Sequence, residues 1–273
     1  MHGIITRHPE ELQWPEFDIG FYETKSVSGH GREPIAAAVN TISCFGDNLT
    51  ARQSPDLVPV TRTGEPATTE QPYFDWCYIC PSQARYRDGL FEMIDVAAEA
   101  NPDVRLDDVG FPRQEYCHCS VCKSDFEESK YESWSDWRAS VITSFVREAA
   151  VRIPGRLLLT LYPDPMPGHL YTRAGIDLEQ LNQYVDEFII PLYDMSYSTT
   201  YWLEVLASGF DDILEILFSI ELYAVNVDLE ALLQATSVVE TYADNVYFGY
   251  DASNARAVLR RRDAASRDGV THK

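Results

Sequence analysis

From residue 104 onward, short apolar runs alternate with longer segments whose apolar positions recur at helical spacing. Val104–Val109, Arg156–Tyr162 (RLLLTLY), Glu187–Tyr193 (EFIIPLY), Ser219–Val225 (SIELYAV) and Val246–Tyr250 (VYFGY) read as strands. Trp134–Arg152 reads as a long amphipathic helix, with Trp134, Trp137, Val141, Phe145 and Ala149 on one face. Leu178–Val185, Tyr201–Ser208, Leu229–Tyr242 and Ala252–Arg262 read as further helices. Strands that are each followed by a helix predict a parallel sheet with helices covering it. No Gly-rich phosphate loop follows any strand, so no nucleotide cofactor is expected. A (β/α)8-type TIM barrel fits better than a nucleotide-binding sheet.

The first hundred residues are less regular. Phe17–Glu23 and Leu57–Thr61 are candidate strands, and Arg32–Phe45 and Arg85–Ala100 are candidate helices. Between Thr24 and Asp56 there is little room for a complete extra strand and helix. The pattern therefore predicts a barrel that is irregular or incomplete in its N-terminal quarter. Residues 1–255 are expected to form one barrel domain, and 256–273 a basic helix end and tail.

Composition sharpens this picture. The chain has 273 residues, 45% of them hydrophobic, enough for one large α/β domain. Its net charge is −21, and only Lys25, Lys123, Lys130 and Lys273 are lysines. An acidic, lysine-poor surface is expected of a halophile, a haloarchaeal-type protein, because molar salt screens self-repulsion over about 3 Å. The same charge makes a nucleic-acid partner a poor fit, since phosphate needs basic partners. The exception is the cluster Arg256, Arg260, Arg261, Arg262 and Arg267, expected as a solvated last helix and tail. No apolar run is long enough to span a membrane. The N-terminal MHGIITRHPEELQWPEF lacks the apolar core of a signal peptide, so a cytoplasmic protein is expected.

The candidate chemistry sits at strand ends. In Val104–Val109, Val104 and Leu106 share one face, and Arg105 and Asp107 the other. Asp107 then points into the barrel near the strand's C-terminal end, where barrel active sites sit, with Asp108 at the rim. In SIELYAV, Glu221 and Tyr223 share the inward face. In LLLTLYPD, Thr160, Tyr162 and Asp164 lie opposite Leu157, Leu159 and Leu161, and Asp194 ends EFIIPLYD. Asp107, Glu221, Asp194 and Asp108 are thus the candidate catalytic carboxylates. Two facing carboxylates suffice to cleave a glycosidic bond: one protonates the leaving oxygen and the other attacks or activates water. Arg105, Tyr162, Asp164, Tyr193, Tyr197 and Trp202 are the candidate substrate-binding residues, the aromatics as platforms for sugar rings.

Cysteine is the other signal. Cys77 and Cys80 form a Cys-x2-Cys pair, and Cys117, Cys119 and Cys122 a Cys-x-Cys-x2-Cys loop. Tetrahedral zinc takes four soft ligands, and these five thiols leave the same barrel face. A structural zinc is the cofactor this implies, with His118 as an alternative fourth ligand. Buried free thiols are the competing reading.

WCYICPSQARYRDGLFEMIDVAAE, VRLDDVGFP and YCHCSVCKSDF together resemble a group of glycoside-hydrolase-like barrel proteins. That group shows a Cys-Pro-Ser, a helix, a strand ending in Asp, then a Cys-x-Cys-x2-Cys-x3-Phe loop after the fourth strand. The segments WRASVITSFV, EFIIPLYDMSY and NVYFGYD are similar to its later strands, so the likeness runs over roughly 73–251. The resemblance implies a (β/α)8-type barrel, a carbohydrate substrate or ligand, and Asp107 at the family's strand-end Asp. A barrel that binds sugar or protein without catalysis is the alternative. Cys-x-Cys-x2-Cys also resembles the zinc motif of tRNA-guanine transglycosylases, which add a distant His. Here the first His after Cys122 is His169, and Glu148 stands in the expected neighbourhood.

Overall fold

The protein is described by a computed structural model over residues 1–193 and 200–270. Eight parallel strands close into a barrel in chain order. They are β1 (His2–Thr6), β2 (Ile19–Lys25), β3 (Val39–Ser43), β4 (Val104–Asp107), β5 (Leu157–Thr160), β6 (Glu187–Leu192), β7 (Phe218–Tyr223) and β8 (Asn245–Gly249). The barrel shuts where β8 pairs with β1, Gly3 beside Tyr247 and Ile4 beside Phe248. The five strands expected from residue 104 onward are neighbours in that order, all parallel.

Helices cover most of the wall: α1 (Asn48–Gln53), α2 (Ala84–Ala100), α3 (Ser120–Glu128), α4 (Trp134–Arg152), α5 (Pro167–Ala174), α6 (Leu178–Leu181), α7 (Tyr201–Asp211), α8 (Leu229–Val239) and α9 (Ala252–Val270). The barrel is complete, contrary to the expectation of a missing unit. Its N-terminal quarter economises on helices instead. Only a 3-10 turn, Pro9–Gln13, separates β1 from β2, and residues 26–38 between β2 and β3 carry no helix.

Two sequence expectations fail here. Arg32–Phe45 is not a helix; its second half is β3, buried on both faces. A strand with no solvent face shows no alternation, and Ala36–Ala38 lend it a helical look. Leu57–Thr61 is not a strand. Pro55 opens a 3-10 turn and Pro59 follows it, leaving one isolated bridge from Val60 to Pro66. The strand HGIIT at the N-terminus was not anticipated.

Where a helix would cover the β2–β3 connection, a buried charge ties the backbone. Lys25 Nζ donates to Ser43 O (2.7 Å) and Gly46 O (3.1 Å) and stands 3.3 Å from Asp47 Oδ2. Asp47 also caps α1 by accepting from Thr50 N.

Strand alternation sorts the core into two shells. Ile4, Ile42, Val104, Leu106, Leu159, Phe188, Ile220 and Phe248 face outward under the helices. Ile5, Phe21, Val39, Leu158, Ile189 and Tyr247 fill the barrel's interior. Deep in that interior Glu187 is buried, accepting from Ser219 Oγ (2.5 Å) and Tyr247 OH (2.6 Å). The apolar layer closes the middle of the barrel, so solvent-facing chemistry is confined to the C-terminal mouth.

The closing helix buries Ala255, Val258 and Leu259. Four of its arginines are paired: Arg256 and Arg260 with Glu16, Arg261 with Glu230, and Arg262 with Glu240. Among the described residues no helix is long and apolar enough to cross a membrane.

Candidate functional site

The mouth is organised around Arg105. Its side chain lies inside the barrel and is 2% exposed. Nε donates to Asp107 Oδ1 (2.9 Å) and Thr160 Oγ1 (3.0 Å), and Nη2 donates to Glu221 Oε2 (2.6 Å). One guanidinium thus joins β4, β5 and β7. Thr160 Oγ1 donates to Asp107 Oδ1 and Tyr193 OH to Glu221 Oε1.

The two bridged carboxylates differ in access. Asp107, at the end of β4, is 19% exposed, whereas Glu221 is 0% exposed. Glu221 fits because Gly249 stands beside it; a Cβ there would lie 3.0 Å from Glu221 Oε1. Burial pushes the Glu221 carboxyl above the usual carboxylate range and Arg105 pulls it back.

Asp108 is turned away from Asp107 by a left-handed backbone, φ 55°. Its Oδ2 accepts from Ser43 Oγ at 2.5 Å. Gly46 leaves the necessary space, since a Cβ there would be 3.1 Å from that oxygen. Burial, reinforced by the charge of Asp107, pushes the Asp108 carboxyl from 3.8 up to about 6.

Aromatic rings form the opposite wall. Tyr193, 40% exposed, packs on Tyr223 at 5.2 Å between centroids, and Tyr223 meets Tyr250 edge-on at 6.3 Å. Arg7 lies 5.0 Å over the Tyr250 ring and pairs with Glu23 (2.5 Å), which Arg32 also approaches (3.5 Å).

The other candidate residues are placed elsewhere or lie beyond description. Tyr162 follows β5 with a buried hydroxyl and its ring under Arg173 (5.6 Å). Asp164 pairs with His169 (3.2 Å) in the β5–α5 connection. Trp202, half exposed in the first turn of α7, meets Tyr201 edge-on. Asp194 and Tyr197 lie outside the described residues. Arg105 itself, expected to bind substrate, is sealed beneath Asp107. Glu23, Thr160, Ser43, Arg7, Tyr223 and Tyr250 were not anticipated as site residues. Glu23 shares the inward face of FYETK with Phe21, and that parity could have found it.

Beside the mouth, four thiols converge. Cys80 comes from the β3–α2 connection, Cys117 and Cys119 from the β4–α3 connection, and Cys122 from α3. Their sulfurs all lie within 4.8 Å of one another, with Cys80 3.3 Å from Cys122 and 3.9 Å from Cys119. A metal–sulfur bond of about 2.3 Å gives such edges around a single tetrahedral ion. Backbone N–H groups aim at the sulfurs: Cys119 N at Cys117 Sγ (3.4 Å) and Cys122 N at Cys119 Sγ (3.5 Å). Hydrogen bonds from its three neighbours pull the Cys119 thiol far down, while burial pushes Cys80 up. Four thiolates this close would repel one another, and a divalent metal would offset that charge.

Two expected ligands are excluded from the cluster. Cys77 packs with Ala51, Val58 and Ile79, and its N–H bonds Asn48 Oδ1 (2.7 Å). His118 stacks on Trp134 at 4.6 Å, and its Nε2 accepts from Arg62 (3.4 Å). The fourth thiol, Cys80, takes the place for which the transglycosylase motif needs a distant His, and Glu148 pairs instead with Arg152.

No protein-family model and no curated protein matches the chain. Solved structures do. An alpha-L-fucosidase isoenzyme 2 from Paenibacillus thiaminolyticus superimposes with a TM-score of 0.63 at 13% identity, over 92% of this chain and 43% of the enzyme. An exo-beta-N-acetylglucosaminidase from Vibrio harveyi gives 0.55 at 7% identity, over 94% and 53%. A beta-N-acetylhexosaminidase from Bacteroides fragilis gives 0.51 at 9%, over 94% and 64%. The likeness is one of fold, the (β/α)8 TIM barrel. The chain spans about half the length of these enzymes.

The Asp108 environment has a direct consequence for stability. Its folded pKa lies above the unfolded value, so its contribution is full below about 4 and is lost as pH rises through about 6. Asp108→Asn keeps the shape, tolerates the left-handed backbone and removes the ionisation. It should raise stability relative to wild type by about 3 kcal/mol more at pH 7 than at pH 3.5. Denaturant unfolding at the two pH values checks this; an equal difference at both contradicts it.

Proposed function

We propose that this chain is a halophile-type glycan-active barrel that cleaves or transfers a glycosidic bond with paired carboxylates. The observation that carries the reading is the adjacent pair in two environments. Asp107 is partly exposed and bridged to Arg105, and Asp108 is held protonatable near pH 6. Two neighbouring acids in unlike surroundings suit different roles. Asp107 faces the anomeric carbon as nucleophile or charge stabiliser, and Asp108 gives its proton to the leaving oxygen. Glu221 touches no substrate; through Arg105 it is a positioning residue. Tyr193, Tyr223 and Tyr250 offer the apolar wall on which a sugar ring stacks.

The sealing of Glu221 supports a second reading, a barrel that binds glycan without turnover. Asp107→Asn separates the two. In a screen of glycosides and glycans in molar salt, this variant should lose turnover by at least about 10³-fold while keeping binding and fold. Undiminished turnover in Asp107→Asn rejects its role. Glycan binding by the wild type with no turnover anywhere in the screen establishes the second reading.

We also propose that Cys80, Cys117, Cys119 and Cys122 hold a structural zinc. Four protein thiolates complete its coordination and leave no open position, so the metal supplies rigidity rather than Lewis acidity. It clips the β3–α2 connection to the β4–α3 connection that begins beside Asp108. Protein prepared without chelator should contain one zinc per chain, and Cys80→Ala should lose it and melt at lower temperature. Wild-type protein free of zinc, with unchanged melting when zinc is added, rejects the site.

A further inference from the structure

Lining one pocket with His118, which stands between Cys117 and Cys119, is a cation with no carboxylate partner among the described residues. Arg138, on α4, is 1% exposed. Nη1 donates to Thr172 O (2.6 Å), and Nη2 to Arg113 O (2.9 Å) and Arg173 O (2.7 Å). Its guanidinium lies 4.6 Å over the Phe111 ring. Among the described residues no carboxylate pairs with it, and its buried Nε–H has no hydrogen-bond partner. Three carbonyls satisfy some of the donors but cancel no charge. A buried, unpaired charge is strongly unfavourable.

The cluster is a source of compensating charge. Burial pushes the Arg138 guanidinium down to about 10, and the charges that pull it back up are led by Cys117 and Cys122, ahead of Glu115. Four thiolates around one divalent ion leave a net charge of minus two in a site where three of the four cysteines are buried. That excess needs a cation as much as Arg138 needs an anion. The connection joining them is short, because Arg113, whose carbonyl Arg138 holds, lies in the same β4–α3 connection as Cys117.

We propose that Arg138 is the buried counter-cation of the tetrathiolate zinc site, a positioning residue that sets metal affinity through charge. This rests on the zinc reading above. The competing explanation is a structural one: Arg138 merely caps the C-terminal carbonyls of α5.

Charge and hydrogen bonding are separable by two variants of the full chain. Arg138→Met keeps bulk and removes charge and donors; Arg138→Lys keeps charge but loses the planar fork. Zinc affinity is measured by competition with a chromophoric chelator in molar salt, and melting temperature is measured with and without zinc. Arg138→Met should bind zinc about 10–100-fold more weakly than wild type. Arg138→Lys should stay close to wild type in affinity while melting earlier. Arg138→Met with wild-type affinity, or Arg138→Lys as weak as Arg138→Met, overturns the proposal in favour of the cap. If Arg138→Met does not fold, Arg138→Lys decides alone: near-wild-type affinity supports the charge role, and a loss of about tenfold or more overturns it. Wild-type protein that binds no zinc is a different result. It removes the zinc reading itself, and the role of Arg138 with it.

Discussion

The mouth of this barrel depends on one buried guanidinium. Arg105 connects Asp107 on β4 to Glu221 on β7 across the axis, and both contacts are short, 2.9 and 2.6 Å. Placing a charge inside a barrel costs several kcal/mol unless partners surround it. Here the partners are the site. Glu221, fully sealed, supplies the countercharge from below and leaves Asp107 as the carboxylate nearest solvent. Thr160 accepts from Arg105 and donates to Asp107, so Asp107 is oriented from β4 and β5 together, while Arg105 Nη1 is left without a hydrogen-bond partner. The apolar layer of Ile5, Phe21, Val39, Leu158 and Ile189 underneath closes the interior and keeps water on the mouth side.

A second charged system shapes the flank. Lys25 and Asp47 hold the loop ends where no helix covers β2 and β3, and Ser43, whose carbonyl Lys25 holds, hands a hydrogen bond to Asp108. The thiol cluster grips the same connection farther on, from Cys117. Asp108 therefore sits between two buried devices, one ionic and one of sulfur.

The later strands were readable because each is a short apolar run followed by a helix, and in β4 and β7 polar inward residues alternate with apolar outward ones. The same parity placed Asp107 and Glu221 on inward faces. Parity gives the face of a residue and not its depth. That is why Arg105, read as a substrate-binding residue, is a sealed bridge, and why Glu221 has no access to solvent. β3 was unreadable because its residues are buried on both sides, and the HGIIT strand because it is short and opens the chain. Glu23 and Tyr250 both stand at the ends of segments read as strands, but nothing in the pattern marked those ends as facing the mouth. Among the cysteines, spacing identified the Cys-x-Cys-x2-Cys loop. Only folding could select Cys80 over Cys77 and His118, since ligand choice depends on where two distant connections meet.

A double-mutant cycle on the Arg105–Glu221 contact tests this account most directly. Arg105→Met, Glu221→Gln and the double variant are unfolded by denaturant in molar salt. If the bridge organises the mouth, each single change should cost about 3–5 kcal/mol by stranding its partner. The double variant should then be more stable than the summed losses by about 2 kcal/mol or more. Losses that add to within about 0.5 kcal/mol would show two independent side chains and contradict the bridge as the constraint on which the site rests.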